Sequence, residues 1–174
     1  MSHTLMFVGS CNRALPYFAT ANGRGIASFR FDEESGAAEP LGLIEGIDNP
    51  TFLAVDPAGE TLNATSEVFG WHEGVVTAYA IDRTTGALAY INKQPTRGSI
   101  AAQLSFDRTG RFLLAVNYGV VPMTHRPNRS VVVFPRRADG ELSPPVAEAT
   151  HEGQGLDPDE GGLAEQVLAG RGAA

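Results

Sequence analysis

An all-β fold is predicted by a repeat and by what lies between its copies. Asp32-Glu33-Glu34-Ser35-Gly36-Ala37 returns 50 residues on as Asp82-Arg83-Thr84-Thr85-Gly86-Ala87. Val55-Asp56-Pro57-Ala58-Gly59 returns 51 residues on as Phe106-Asp107-Arg108-Thr109-Gly110. Between these turns lie short runs rich in β-branched and aromatic residues, and no convincing helical period interrupts them. A period of about 40 to 50 residues built from such runs is the mark of propeller blades. The predicted architecture is an incomplete β-propeller of about three four-stranded blades over residues 1–159, followed by a Gly/Ala-rich tail at 160–174 that fits no blade.

Residues 5–9 are an apolar run, 25–31 a second, and after the Asp32 turn 41–45 make a third. The next unit opens with the apolar run 51–55, turns through Asp56-Pro57-Ala58-Gly59 and resumes over 61–66, which makes one hairpin. Residues 75–81 and 88–92 flank the 82–86 turn and make a second. The same order recurs as 101–106, 111–116, 130–134 and 142–149, with turns at 107–110 and at Asp139-Gly140.

Up-and-down connectivity sorts the connections onto two faces. The tight turns at 56–59, 82–86, 107–110 and 139–140 fall on one. The longer, chemically varied segments 10–24, 46–50, 67–74, 95–99, 117–129 and 151 onward fall on the other. Varied loops on a rigid sheet scaffold are where binding and catalysis sit, so the functional face is placed there.

Composition narrows the function. The net charge is −7, which disfavours nucleic acid and anionic membrane surfaces as partners. A small-molecule ligand is expected instead. Cys11 is the only cysteine, so no intrachain disulfide and no cysteine-based metal cluster can form, which fits a reducing cytoplasm. No basic segment with a long apolar stretch opens the chain, so a cytoplasmic location is expected. In that compartment Asn63-Ala64-Thr65 and Asn128-Arg129-Ser130 are chance glycosylation matches.

Several groups on the loop face carry useful chemistry. Glu67 ends a strand and is either a base for water, an orienting group for a substrate hydroxyl, or a solvated loop carboxylate. Gly70-Trp71-His72-Glu73-Gly74 sets the only tryptophan beside a histidine and a carboxylate. It is either an aromatic wall with an acid/base pair or a hairpin loop whose indole caps the sheet. Asn117-Tyr118-Gly119 ends the matching strand of the next unit, so Asn117 is expected at a position related to Glu67, as a pocket residue or a turn residue. Arg13, Arg24, Arg97 and Arg126 are candidate partners for a carboxylate or phosphate. His151-Glu152-Gly153 repeats the His-Glu-Gly of residues 72–74, at a spacing that matches no established zinc pattern. No cofactor or metal is implied. A serine triad lacks its Gly-x-Ser-x-Gly elbow, and Gly23-Arg24-Gly25 leads into a β run rather than a helix.

Taken in order, several segments resemble the seven-bladed β-propeller lactonase family, which contains the propeller-type 6-phosphogluconolactonases. They are Phe7-Val8-Gly9, Gly25-Ile26-Ala27 with its Asp32 turn, Asn49-Pro50-Thr51-Phe52-Leu53-Ala54, Ser66-Glu67-Val68, Gly110-Arg111-Phe112-Leu113, Asn117-Tyr118-Gly119, Val133-Phe134-Pro135 and His151-Glu152-Gly153. The resemblance implies hydrolysis of a sugar lactone, of the 6-phosphogluconolactone type, by water attack on the ester carbonyl. It implies Glu67 and His151 as catalytic candidates, with His72, Asn117, Tyr118 and Arg13 toward the substrate. Two other functions stay open: a muconate-type lactonising cycloisomerase, and a propeller that binds a ligand or protein without turnover.

The pattern also departs from the family. The Pro-His-x-His segment that follows the His-x-Gly segment in relatives is replaced by Glu160-Gly161-Gly162-Leu163-Ala164-Glu165-Gln166, and the third unit opens with Ile100-Ala101-Ala102-Gln103. The change after Asp159 is read as a frameshift, premature stop or gene-model error. Three blades of a presumed seven are expected to be inactive alone and to leave open blade edges that invite self-association.

Overall fold

The computed structural model of the chain describes residues 3–15, 18–118 and 128–151. They form three antiparallel sheets. Sheet 1 holds β1 (His3–Gly9), β2 (Ile26–Asp32) and β3 (Ala38–Ile44). Sheet 2 holds β4 (Leu53–Val55), β5 (Thr61–Ser66), β6 (Val75–Ile81) and β7 (Leu88–Pro95). Sheet 3 holds β8 (Ala101–Phe106), β9 (Phe112–Asn117), β10 (Val131–Pro135) and β11 (Ala147–Ala149). Each is an up-and-down meander in chain order.

The repeated turns work by one device. The carboxylate of Asp56 accepts the N–H groups of Glu60 and Thr61, both at 2.7 Å, and that of Asp107 accepts Phe112 N–H at 2.8 Å. Asp32 and Asp82 do the same for the residues two and three places on. The glycine that follows takes a left-handed backbone, with φ of 73° at Gly36, 70° at Gly59, 73° at Gly86 and 68° at Gly110. Because they accept these bonds best when ionised, the carboxyls of Asp32 and Asp82 sit below their ordinary range. Asp107, bonded by the Thr109 hydroxyl and by backbone N–H groups, is lowered to about 2.

Two apolar layers join the sheets. Ile26, Ile47, Leu62, Ala64 and Tyr79 are buried between sheets 1 and 2, with Phe7, Leu53 and Ile81 packed against them. Val76, Ala78, Leu104, Leu113, Val132 and Phe134 are buried between sheets 2 and 3. Each such large side chain contributes about 1.5–3 kcal/mol through its removal from water. The second layer also carries polar bridges. The side-chain amides of Asn92 and Gln94 donate to Leu142 O at 2.8 and 2.9 Å, and Leu142 N–H returns a bond to Asn92 Oδ1 at 3.2 Å. Arg136 Nη2 lies 3.1 Å from Asp56 Oδ2, with only 11% and 2% of the two side chains exposed. Its approach is off the N–H direction, so this is an ionic contact more than an aligned hydrogen bond.

Sheet 1 holds the three strands read at the front of the sequence, and among the described residues no strand pairs with the outer edge of β1. One expectation needs correction. The run expected over 142–149 shrinks to the three residues of β11. Pro144 and Pro145 lack the N–H groups a ladder needs, so regular pairing is delayed until Ala147. The tail at 160–174 lies outside the described residues.

Candidate functional site

The three sheets present the same strand end to the loop face, and backbone bonds set the register between them. Glu67 N–H donates to Asn49 O at 3.0 Å, and 51 residues on Tyr118 N–H donates to Ile100 O at 2.8 Å. Ser10 N–H donates to Gly25 O at 2.9 Å just as Asn117 N–H donates to Ser130 O at 2.8 Å. Cys11, Glu67 and Tyr118 therefore share one repeat position. The expected kinship of Glu67 with Asn117 is off by one residue: Asn117 matches Ser66. On a pleated strand that single step reverses the face a side chain takes.

Glu67 is half-buried, and its backbone is held from both sides by Asn49. Asn49 is fully buried with φ at 40°. Its Nδ2 donates to Glu67 O at 3.0 Å and to Arg13 O at 3.3 Å, while its Oδ1 accepts the N–H groups of Asn12 and Arg13 at 2.9 and 2.8 Å. Asn12 Oδ1 accepts Asn49 N–H at 2.9 Å. One side chain thus ties the loop that follows β1, the loop that enters sheet 2 and the end of β5. Arg13 is brought to this cluster by its backbone, and its guanidinium pairs with Asp48 at 2.7 Å.

Cys11 joins the same cluster. Partial burial pushes its thiol up from the ordinary value, and the Glu67 carboxylate adds to the rise because a second negative charge is disfavoured beside the first. The thiol therefore stays protonated and weakly nucleophilic at neutral pH. Tyr118, at the equivalent position of sheet 3, is 60% exposed.

The other predicted residues are placed differently. Asn117 is 6% exposed, and its Nδ2 donates at 2.8 Å to both Thr96 O and Arg129 O. With both donors engaged it has none for an oxyanion, and its buried Oδ1 lacks a partner. His72 is exposed on the loop between β5 and β6, where Glu73 accepts Arg97 N–H at 2.9 Å. His151 follows β11, the strand of sheet 3 furthest along from β8, and its N–H donates to Ser130 Oγ at 2.9 Å. Glu67 and His151 thus leave different sheets at different strand positions. Arg24 pairs with Glu45, and Arg97 and Arg129 share Glu148. Arg126, Gly119, Glu152 and Gly153 lie outside the described residues.

Sequence reasoning missed Asn49 and Cys11 as members of the site. The register of Ser10, Ser66 and Asn117 would have found Cys11. Nothing in the residue type of Asn49 separates a turn asparagine from this buried one. Among the described residues, no three His, Cys, Asp or Glu side chains cluster closely enough to hold a metal ion, and no helix is long and apolar enough to cross a membrane.

The family model for the seven-bladed β-propeller lactonases matches residues 6–165. A 6-phosphogluconolactonase of Bacillus subtilis is 33% identical over 138 residues, covering 79% of this chain and 37% of the relative. One from Formosa agariphila is 35% identical over 113 residues, covering 65% of this chain and 30% of its own length. The solved periplasmic gluconolactonase of Pseudomonas aeruginosa superposes with a TM-score of 0.72 at 30% identity, covering 90% of this chain and 40% of that one. The chain spans well under half the length of these relatives. By its three sheets, its repeat and this match, the chain belongs to the seven-bladed β-propeller lactonase family.

Proposed function

We propose that the chain supplies the loop face of an enzyme that hydrolyses a sugar lactone, with Glu67 as the base that activates water. The observation that carries this reading is the half-buried Glu67 carboxylate at a strand end, with its backbone fixed by the buried Asn49, in a chain whose relatives are named for lactone hydrolysis. A base held by a rigid strand end needs little reorganisation to meet water at the carbonyl carbon. Tyr118, His72 and Arg13 lie on the same face and are assigned to the substrate. Asn117 shapes the wall beneath Tyr118 through the two backbone carbonyls it holds. His151, beyond the last strand of sheet 3, is assigned as the second catalytic candidate. The compartment proposed is the cytoplasm.

The test is hydrolysis of glucono-δ-lactone and its 6-phosphate above the spontaneous rate. It is run on this chain and on the chain extended by its own downstream reading frame, each with and without Glu67→Gln. The extended form is expected to turn over substrate and to lose about 100-fold or more with Glu67→Gln. Equal turnover in the variant would remove Glu67 from the mechanism. Ligand binding without turnover in either form would favour a binding propeller.

A further inference from the structure

Arg97, on the loop between β7 and β8, joins three segments of the loop face through three different groups. Its N–H donates to Glu73 Oε1 at 2.9 Å, its O accepts Arg129 N–H at 2.8 Å, and its guanidinium meets Glu148 Oε2 at 3.0 Å. Glu73 follows His72 on the loop between β5 and β6, Arg129 leads into β10, and Glu148 lies in β11 shortly before His151. Arg129 closes the set: its Nε donates to the other oxygen of the Glu148 carboxylate at 2.8 Å and its Nη1 to Thr150 Oγ1 at 3.2 Å. A run of bonds therefore leads from the residue after His72, in sheet 2, to the residue before His151, beyond sheet 3.

Stability does not account for an arginine at this position. Its φ of 52° is left-handed, where glycine is at home and a side chain is costly. The side chains of Arg97, Arg129 and Glu148 are 44%, 41% and 28% exposed, and ion pairs open to water contribute little. The backbone bonds to Glu73 and Arg129 would form equally well from a glycine. What only a side chain supplies is the reach from the loop between β7 and β8 to β11. Strain kept at a residue that several neighbours hold in place is a mark of a functional position.

We propose that Arg97 is a positioning residue for the reaction, fixing the segment of sheet 2 that carries His72 relative to the segment beyond sheet 3 that carries His151. This rests on the proposed function, in which His72 meets the substrate and His151 is a catalytic candidate. Arg97 acts through these segments and not on the lactone: its guanidinium is taken up by Glu148, so it is an internal clamp rather than a receptor for a substrate carboxylate or phosphate. Two loops from separate sheets that are already ordered when substrate arrives spare the reaction the entropy of ordering them.

The test alters one end of this run of bonds and reads the other. The chain has 4 histidines, so their imidazole signals in an isotope-labelled sample can each be assigned by substitution. Glu73→Ala should shift the His151 signals, and Glu148→Ala should shift those of His72. Both transmitted shifts should vanish when Arg97→Gly is added. If either alanine variant unfolds by circular dichroism, Glu73→Gln or Glu148→Gln takes its place. Arg97→Gly alone should melt at or above the wild-type temperature, because it relieves the left-handed backbone. In the form extended by its own downstream reading frame, it should lower kcat for the lactone about 10-fold or more and change KM less. Shifts confined to the altered end, an unchanged kcat in an active extended form, or a melting temperature that falls together with kcat would each overturn the proposal. An extended wild type that turns over no lactone would instead sink the proposed function, and the transmitted shifts alone would then decide whether Arg97 couples the two segments.

Discussion

The loop that enters sheet 2 and the loop that enters sheet 3 follow one backbone path with different chemistry. Each has two left-handed positions three residues apart: Gly46 and Asn49 in the first (φ 82° and 40°), Arg97 and Ile100 in the second (φ 52° and 57°). Each lends a carbonyl to the residue just past a strand end, Glu67 or Tyr118. The first loop fills these positions with residues that tolerate them. The second uses an arginine and a buried β-branched isoleucine, for which a positive φ is strained. In the first loop the polar staple is Asn49 itself. In the second, Ile100 cannot serve, and the staple moves to Asn117, which reaches back to Thr96 O from the strand end. The repeat dictates the path, and the side chains on it are free to take up local work.

Substitutions at the two staples and at the left-handed positions should separate the two loops. Asn49→Ala removes four side-chain hydrogen bonds at a fully buried centre and leaves their partners unmet. We expect a loss of about 3 kcal/mol or more by denaturant unfolding. Asn117→Ala removes two bonds, and its Oδ1 is already without a partner, so a smaller loss of about 1–3 kcal/mol is expected. If Asn117→Ala proved the costlier change, the main staple would lie in the wrong loop. Gly46→Ala meets no atom within 4 Å of the added Cβ, so it reports the left-handed backbone alone. It should cost about 1 kcal/mol.

Acid titration is the mildest probe. A carboxyl whose folded value is depressed contributes stability that is present above its unfolded value and is lost as pH falls toward the folded one. With Asp107 lowered from 3.8 to about 2, stability should fall between those values. In Asp107→Asn part of that fall should be missing from the curve of melting temperature against pH. An identical acid fall in the variant would show that the Asp107 turn contributes nothing to it.

Much of the fold was legible because its signals are local. An aspartate that accepts N–H groups, followed by a glycine in the left-handed region, specifies a turn from a few adjacent residues, and the repeat multiplied the evidence. Pro144 and Pro145 carried a legible warning that β11 would be short. The site was harder to read. The one-residue error between Glu67 and Asn117 arose because the strand end is set by a bond from Asn49, on a separate loop. The role of Asn49 depends on burial between two sheets, which no neighbouring residue announces. Cys11 shares its repeat position with Glu67 and Tyr118 and comes under the Glu67 charge across two sheets, and cysteine, glutamate and tyrosine have no chemistry in common that would announce it.

Asn49 ties the loop that follows β1 to the end of β5, which brings Cys11 within electrostatic reach of Glu67. Cys11 is the only cysteine, which makes its alkylation rate against pH a clean reading of one thiol. In Glu67→Gln the apparent thiol pKa should fall toward the ordinary value without reaching it, because partial burial remains after the charge is gone. An unchanged pKa in a variant that is still folded would mean that the two groups do not share a site.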